Sequence, residues 1–173
     1  VSGTTGWTER LHEAEALCRQ HGGAFFYASN YSIGVNVFFE VNRKLAELMN
    51  RFGTYDVTVE ETHHTQKKDA PSGTALMLAN AINEENDGAY HYVYDRSAVR
   101  QKRDPKEIGI SAVRGGSIVG DHEVLFCGPD EVITLRHTAY SRNIFANGAI
   151  NAAVYLAKKE PGLYNMSNMI AEM

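Results

Sequence analysis

Hydrophobic residues recur along this chain with two different periods, and the two kinds of segment follow one another. Residues 38–52 carry apolar side chains at helical spacing, whereas residues 55–60 alternate apolar and polar side chains as a half-buried strand does. Residues 89–140 are mostly strand-like, with glycine-containing turns at 115–116 and 128–130. This order predicts a piece of an α/β layer followed by an α+β unit with several antiparallel strands.

The composition excludes several classes of protein. Of 173 residues, 43% are hydrophobic and 22% charged, which is typical of a globular chain and not of collagen, a coiled coil or a disordered segment. The net charge of −4 argues against a nucleic-acid partner. No apolar run approaches the roughly 18 residues of a membrane span. Cys18 and Cys127 lie far apart and in no CxxC pattern, which suits the reducing cytoplasm better than a disulfide framework.

One segment, residues 60–76, concentrates the residues that carry chemistry, and its letters are EETHHTQKKDAPSGTAL. A strand there leads His63, His64 and Lys67 into a loop, where a His/Lys pair can supply protons near neutral pH. His63 and His64 cannot easily chelate one metal ion, because successive side chains of a strand point to opposite faces. No metal site is therefore expected.

The same loop ends where a helix is expected to begin, with Ser72 as its N-cap. Free backbone N–H groups and the helix dipole favour an anion at such a point, and Gly73 lets a ligand approach the backbone closely. Together with the cationic side chains, this predicts a site for a small carboxylate or phosphate. Taken singly, each residue also has an ordinary interpretation: loop histidines, and a serine that only caps a helix.

The segment resembles the signature of the 4-hydroxy-tetrahydrodipicolinate reductase (dihydrodipicolinate reductase) family, E-x-x-H-H-x-x-K-x-D-A-P-S-G-T-A. Four other segments resemble the family in the same order along the chain. They are GTTGW at 3–7, ASNYSIGVN at 28–36, RGGSIVGDH at 114–122 and SRNIFANGA at 141–149. The resemblance spans nearly all of the sequence.

The resemblance implies a fold with two domains. Residues 1–33 would be the C-terminal part of a Rossmann-type, α/β dinucleotide-binding domain. Residues 34–141 would form an α+β domain for substrate binding and oligomerisation, built on a mixed, largely antiparallel open sheet. Residues 142–173 would supply a helix that returns to the dinucleotide domain. Family membership also implies a homotetramer.

The resemblance further implies an NADH- or NADPH-dependent enzyme of lysine and diaminopimelate biosynthesis. Such an enzyme reduces 4-hydroxy-tetrahydrodipicolinate, a cyclic dicarboxylate, to tetrahydrodipicolinate. Carried over residue by residue, His63 resembles the catalytic acid/base and Lys67 the proton donor. The substrate carboxylates would be held by His64, Lys67, Gly73 and Thr74.

Two further segments resemble those that contact the cofactor in the family. They comprise Gly3, Thr4 and Thr5, and then Ala28, Ser29, Asn30 and Tyr31. The family's phosphate-binding G-x-x-G-x-x-G loop is missing from this sequence. We therefore expect an N-terminally truncated chain that binds dinucleotide poorly and does not turn over alone.

Two alternatives remain at the level of sequence. One is another two-domain nicotinamide oxidoreductase with a different substrate, against which the His-His-x-x-Lys loop and its Pro-Ser-Gly-Thr continuation argue. The other is a non-catalytic module for oligomerisation or ligand binding, which the missing glycine loop favours. The residue that would distinguish NADH from NADPH is not among those given.

Overall fold

The computed structural model describes residues 1–3, 6–94 and 96–173, which divide into two units. The first unit comprises Val1–Val37 and Ser141–Met173, and the second comprises Phe38–Tyr140. In chain order the elements are a 3₁₀ turn (Thr8–Arg10), α1 (Leu11–Gln20), β1 (Ala24–Phe26), α2 (Ile33–Met49), β2 (Asp56–His63), α3 (Gly73–Glu84), β3 (His91–Val93), β4 (Glu107–Arg114), β5 (Gly120–Cys127), β6 (Val132–Ala139), α4 (Asn143–Leu156), β7 (Gly162–Tyr164) and α5 (Met166–Ala171).

A five-stranded mixed sheet in the order β3-β4-β2-β5-β6 forms the second unit. The expected α+β fold with a mixed open sheet is confirmed. The expectation that the sheet is largely antiparallel is only half right, since β3/β4 and β4/β2 are parallel while β2/β5 and β5/β6 are antiparallel. The chain leaves β2 through α3 before it reaches β4, and such a crossover connection makes the two strands parallel.

Strand β2 alternates strictly between a buried and a more exposed face. Its buried side chains face helices α2 and α3, which cover one side of the sheet and close the core. Because every second side chain of a strand points to the same face, the buried face of β2 holds two apolar residues followed by two polar ones. In chain order they are Val57, Val59, Glu61 and His63.

A small parallel pair, β1 with β7, organises the first unit. Its core contains Phe26 and Met169, with Tyr31 stacked on the Phe26 ring. Helix α4 approaches this core so closely that a Cβ at Gly148 would lie 1.7 Å from the carbonyl oxygen of Tyr31. Only glycine therefore fits at residue 148.

The helix start that the sequence predicts at Ser72 is confirmed. Ser72 has extended backbone angles, and its Oγ accepts the N–H of Ala75 at 3.1 Å, as an N-cap does. Helix α3 then begins at Gly73 and is buried along its sheet-facing side. Across the described ranges, the helices are all too short or too polar to cross a lipid bilayer.

We predict that Gly148→Ala destabilises the first unit. An alanine gains up to about 1 kcal/mol of helix propensity. The overlap of its Cβ with the Tyr31 carbonyl oxygen costs more, since overpacking typically costs about 1–3 kcal/mol. Trp7, which packs on Phe25 and Tyr27 in the first unit, gives the fluorescence readout during thermal unfolding. Gly53→Ala is the control, since its Cβ would meet open space. Equal unfolding midpoints for the two variants would contradict the packing described here.

Candidate active site

The sequence-predicted site residues of the second unit lie around the end of β2 and the start of α3. His63 is the last residue of β2, and its side chain is only 10% exposed. Its Nδ1 makes a hydrogen bond to the carboxylate of Glu61, two residues earlier on the same face of the strand. The strand therefore presents the imidazole from a rigid element and not from the loop.

The Glu61 side chain is fully buried, and besides His63 on its own strand it bonds to two other parts of the chain. Arg114, at the end of β4, donates Nη1 to Oε2 at 2.9 Å and Nη2 to Oε1 at 2.8 Å. The backbone N–H of Ser72 donates to Oε1 at 3.0 Å. Arg114 also donates to the carbonyl oxygen of Asp69 at 2.6 Å, which fixes the loop before α3.

The pKa values of both Glu61 and His63 are lowered in this network. Burial opposes ionisation of the Glu61 carboxyl, but the hydrogen bonds from Arg114 and His63 outweigh it and hold the pKa of Glu61 below its usual range. Burial also lowers the pKa of His63, and Lys67 and Arg114 add to that effect against the opposing pull of Glu61. Because burial lowers the pKa of His63, its resting imidazole is neutral near pH 7 and can take up a proton.

A second imidazole lies beside His63. The ring of His122, on β5, meets the His63 ring edge-on at a centroid distance of 4.9 Å. Its Nε2 shares a hydrogen bond of 2.9 Å with Ser72 Oγ, the atom that caps α3. Burial, with a smaller contribution from His63, lowers the pKa of His122 to about 4. His122 is therefore a neutral hydrogen-bonding group of the helix cap.

Lys67 lies in the loop with its ammonium on Asp69. Its Nζ donates to both carboxylate oxygens of Asp69 at 2.9 Å, and its side chain is 22% exposed. The Lys67 backbone N–H donates to the carbonyl oxygen of His64, which gives the loop a tight turn. The exposed Asp69 carboxylate occupies the place that an anionic ligand of Lys67 would take.

The start of α3 is open to a ligand. Ser72 satisfies the N–H groups of Ala75 and Leu76 through its Oγ and its carbonyl oxygen. Within the described part of the chain, the N–H groups of Gly73 and Thr74 donate no hydrogen bond to a protein acceptor. A Cβ on Gly73 would meet nothing within 4 Å. These two N–H groups can therefore receive a carboxylate.

Sequence analysis missed three residues of this site: Glu61, Arg114 and His122. The signal for Glu61 was available, because it falls in the buried phase of β2 with Val57 and Val59. Arg114 and His122 lie 53 and 61 residues from Glu61, so only the sheet register brings them there. No three His, Cys, Asp or Glu side chains within the described ranges come close enough together to hold a metal ion.

The residues predicted to contact the cofactor lie in the first unit. A crevice of about 230 Å³ is lined by Ala28, Ser29 and Asn30 together with residues 165–167. Tyr31 is buried, and its hydroxyl donates to the carbonyl oxygen of Ser2 at 2.6 Å.

At the other predicted contact segment, a Cβ on Gly3 would lie 2.8 Å from the Tyr31 ring. Only a glycine therefore fits against that ring. The predicted contacts Thr4 and Thr5 lie outside the described residues.

Comparison with known proteins matches this arrangement to one family. Residues 34–170 match the family model described as dihydrodipicolinate reductase, C-terminus. The chain belongs to the dihydrodipicolinate reductase family. The motif-based resemblance is thereby confirmed.

Curated relatives named 4-hydroxy-tetrahydrodipicolinate reductase match the chain over nearly its whole length. The protein of Caldanaerobacter subterraneus subsp. tengcongensis is 44% identical over 171 residues, which is 98% of this chain and 66% of the relative. The protein of Brachyspira hyodysenteriae is 48% identical, over 97% of this chain and 71% of the relative. Among the relatives with the strongest matches, the chain spans 63–66% of their length.

A solved structure in the same family has a similar fold. It is the dipicolinate-bound dihydrodipicolinate reductase from Paenisporosarcina sp. TG-14, with a TM-score of 0.68 and 30% sequence identity. The match covers 94% of this chain and 61% of that structure's chain.

We predict that His122 stays neutral down to acidic pH in the folded protein. Its imidazole should titrate in ¹H–¹³C NMR spectra with a midpoint near pH 4. Because the unfolded chain takes up this proton near pH 6.5, the stability that His122 contributes is complete above pH 6.5 and is lost progressively toward pH 4, by about 3 kcal/mol. A His122 midpoint near 6.5 would contradict its burial at the helix cap.

Proposed function

We propose that this chain forms the substrate-binding part of a 4-hydroxy-tetrahydrodipicolinate reductase of lysine and diaminopimelate biosynthesis. One observation carries the proposal. The His63 imidazole, the Lys67 ammonium group and the open start of α3 follow one another from the end of β2. These are the groups that a cyclic dicarboxylate needs when it is reduced and protonated.

The substrate's carboxylates would be bound by the start of α3 and by the loop before it. The N–H groups of Gly73 and Thr74 would donate hydrogen bonds to one carboxylate, and a Cβ on Gly73 would meet nothing within 4 Å. Lys67 and His64 would hold carboxylate oxygens from the loop. Lys67 would exchange its bond to Asp69 for one to the substrate, because both are carboxylates and Asp69 is 60% exposed.

The chemistry needs the loss of water, which removes the 4-hydroxyl group with a neighbouring ring hydrogen and leaves a second ring double bond, followed by one hydride and one proton. The hydride adds to a ring carbon with its electron pair, and the electrons of the ring double bond move to the neighbouring carbon. That carbon then takes a proton, for which the Lys67 ammonium group would be the donor. His63 would act as the acid/base, because its imidazole is neutral at rest and can accept a proton and return it.

A nicotinamide cofactor, NADH or NADPH, would supply the hydride. The crevice of the first unit, with amide and hydroxyl groups on Ser29, Asn30 and Asn165, fits one polar portion of such a cofactor. Its volume of about 230 Å³ is too small for a whole dinucleotide. Ala28, Ser29 and Asn30 would therefore contact only one portion of the cofactor.

The proposal includes a cytoplasmic location and a homotetramer. Cys18 and Cys127 are both free thiols, which suits a reducing compartment. The face of the five-stranded sheet opposite α2 and α3 carries Leu125 and Val113, of which Val113 is 55% exposed. Such an uncovered sheet face fits a second copy of the chain.

The complete gene product should oxidise NADH or NADPH when it is supplied with 4-hydroxy-tetrahydrodipicolinate. Pyridine-2,6-dicarboxylate, a planar mimic of the substrate, should inhibit this reaction. An oxidoreductase with an unrelated substrate would not be inhibited. A folded gene product that turns over with neither cofactor would contradict the proposed function.

Lys67→Ala should lower kcat and raise KM together, and Lys68→Ala is its matched control. Loss of a charge-assisted hydrogen bond corresponds to a fall of roughly 10–100-fold in the affinity for pyridine-2,6-dicarboxylate, measured by calorimetry. Lys68 is the adjacent, exposed lysine and should change that affinity by about twofold or less. Equal losses in the two variants would mean that only general positive charge matters.

Native mass spectrometry should find four copies of the gene product, and Leu125→Glu should shift the distribution to smaller species. The substitution places a charge on the exposed sheet face without touching the core, because the neighbouring residues Val124 and Phe126 point to the other side. A tetramer that survives Leu125→Glu would mean that the subunits meet elsewhere.

A further inference from the structure

The carboxylate of Glu61 uses its full capacity for hydrogen bonds. Oε1 accepts from Arg114 Nη2 and from the Ser72 N–H, while Oε2 accepts from Arg114 Nη1 and bonds to His63 Nδ1. Each oxygen of an ionised carboxylate has about two lone-pair sites, so the four partners occupy all of them. A buried carboxylate that is satisfied in this way has one fixed orientation.

The ionised state of Glu61 determines which nitrogen of His63 carries the proton. Arg114 binds both carboxylate oxygens, and this pairing keeps Glu61 charged in spite of its burial. A carboxylate can only accept hydrogen bonds, so the hydrogen in the bond to His63 belongs to Nδ1. The neutral imidazole therefore has its lone pair on Nε2.

The surroundings of His63 Nε2 agree with a working nitrogen. Nε2 points toward Gly120 on β5, where an added Cβ would lie only 3.0 Å away. The hydrogen bonds found within the described residues give Nε2 no protein partner, whereas Nδ1 has Glu61. A proton can therefore enter and leave through Nε2 while Nδ1 stays bound.

Glu61 also fixes the start of helix α3. Its Oε1 holds the N–H of Ser72, the residue immediately before Gly73 and Thr74. Arg114 holds the loop from the other side through the carbonyl oxygen of Asp69. One carboxylate thus connects the imidazole of β2 with the N–H groups proposed to bind the substrate.

We propose that Glu61, clamped by Arg114, is a positioning residue for the proposed reaction: it fixes the Nδ1–H tautomer of His63 and the place of the α3 start beside it. The inference rests on the proposed function, because it concerns the same site. It differs from a purely structural ion pair in one respect. A structural pair would leave the tautomer of His63 unaffected when the carboxylate becomes an amide.

The first measurement needs no variant. In ¹⁵N NMR spectra of the chain above pH 7, His63 should show a pyrrole-type shift at Nδ1 and a pyridine-type shift at Nε2. The opposite assignment would overturn the proposal, whatever the enzyme's activity. This readout also separates the proposal from the proposed function, since a protein without reductase activity still reports its tautomer.

The second measurement compares Glu61→Gln with Glu107→Gln. A glutamine at 61 keeps the size of the side chain but brings an N–H₂ group that cannot accept the Nδ1 hydrogen. We expect His63 to lose its Nδ1–H preference and kcat of the complete gene product to fall roughly 100-fold, with a smaller change in KM. Glu107 is a buried glutamate on β4 of the same sheet, and it pairs with Arg96. Its substitution therefore controls for the loss of a buried carboxylate that has an arginine partner.

Two results of this comparison would overturn the proposal. One is an unchanged tautomer in a folded Glu61→Gln protein, even if kcat falls. The other is an equal loss of kcat in Glu107→Gln, which would show that any buried ion pair of the sheet has the same effect. If Glu61→Gln does not fold, the tautomer of the unaltered protein still decides the question.

Discussion

A buried ion pair, Glu61 with Arg114, is the interaction on which the candidate site depends. Its two partners lie on adjacent parallel strands, and each extends the pair to the loop before α3. Removal of one partner from such a pair leaves a charge without compensation in the core, at a cost of about 3–5 kcal/mol. The pair therefore holds the end of β2, the end of β4 and the start of α3 in one arrangement.

The site combines a rigid part with a loop that can adjust. His63, Glu61 and Ser72 are buried and held by hydrogen bonds that span the sheet. Among the described residues, the ammonium group of Lys67 bonds to Asp69 alone, within the loop. A ligand with carboxylates can therefore recruit Lys67 without disturbing the imidazole or the helix start.

Local sequence patterns predicted the parts of the site that depend on neighbours along the chain. The alternation in β2, the cap at Ser72 and the open Gly73 follow from residues within a few positions of one another. Glu61 was missed because two glutamates stand side by side, Glu60 exposed and Glu61 buried. Only the alternation that begins with Val57 and Val59 shows which of the two faces the core. Arg114 and His122 depend on strand register, which no local pattern contains.

The strand directions were also beyond local patterns. Periodicity shows that a segment is a strand, but a parallel and an antiparallel neighbour give the same alternation. The crossover through α3 sets the direction of β4 relative to β2, and this depends on how the helix packs on the sheet.

The central claim is that the start of α3 and Lys67 bind a dicarboxylate beside His63. A crystal structure with pyridine-2,6-dicarboxylate tests it most directly. The account predicts one carboxylate on the N–H groups of Gly73 and Thr74, Lys67 moved from Asp69 to the ligand, and His63 Nδ1 still on Glu61. A ligand bound elsewhere, with Lys67 still on Asp69, would contradict it.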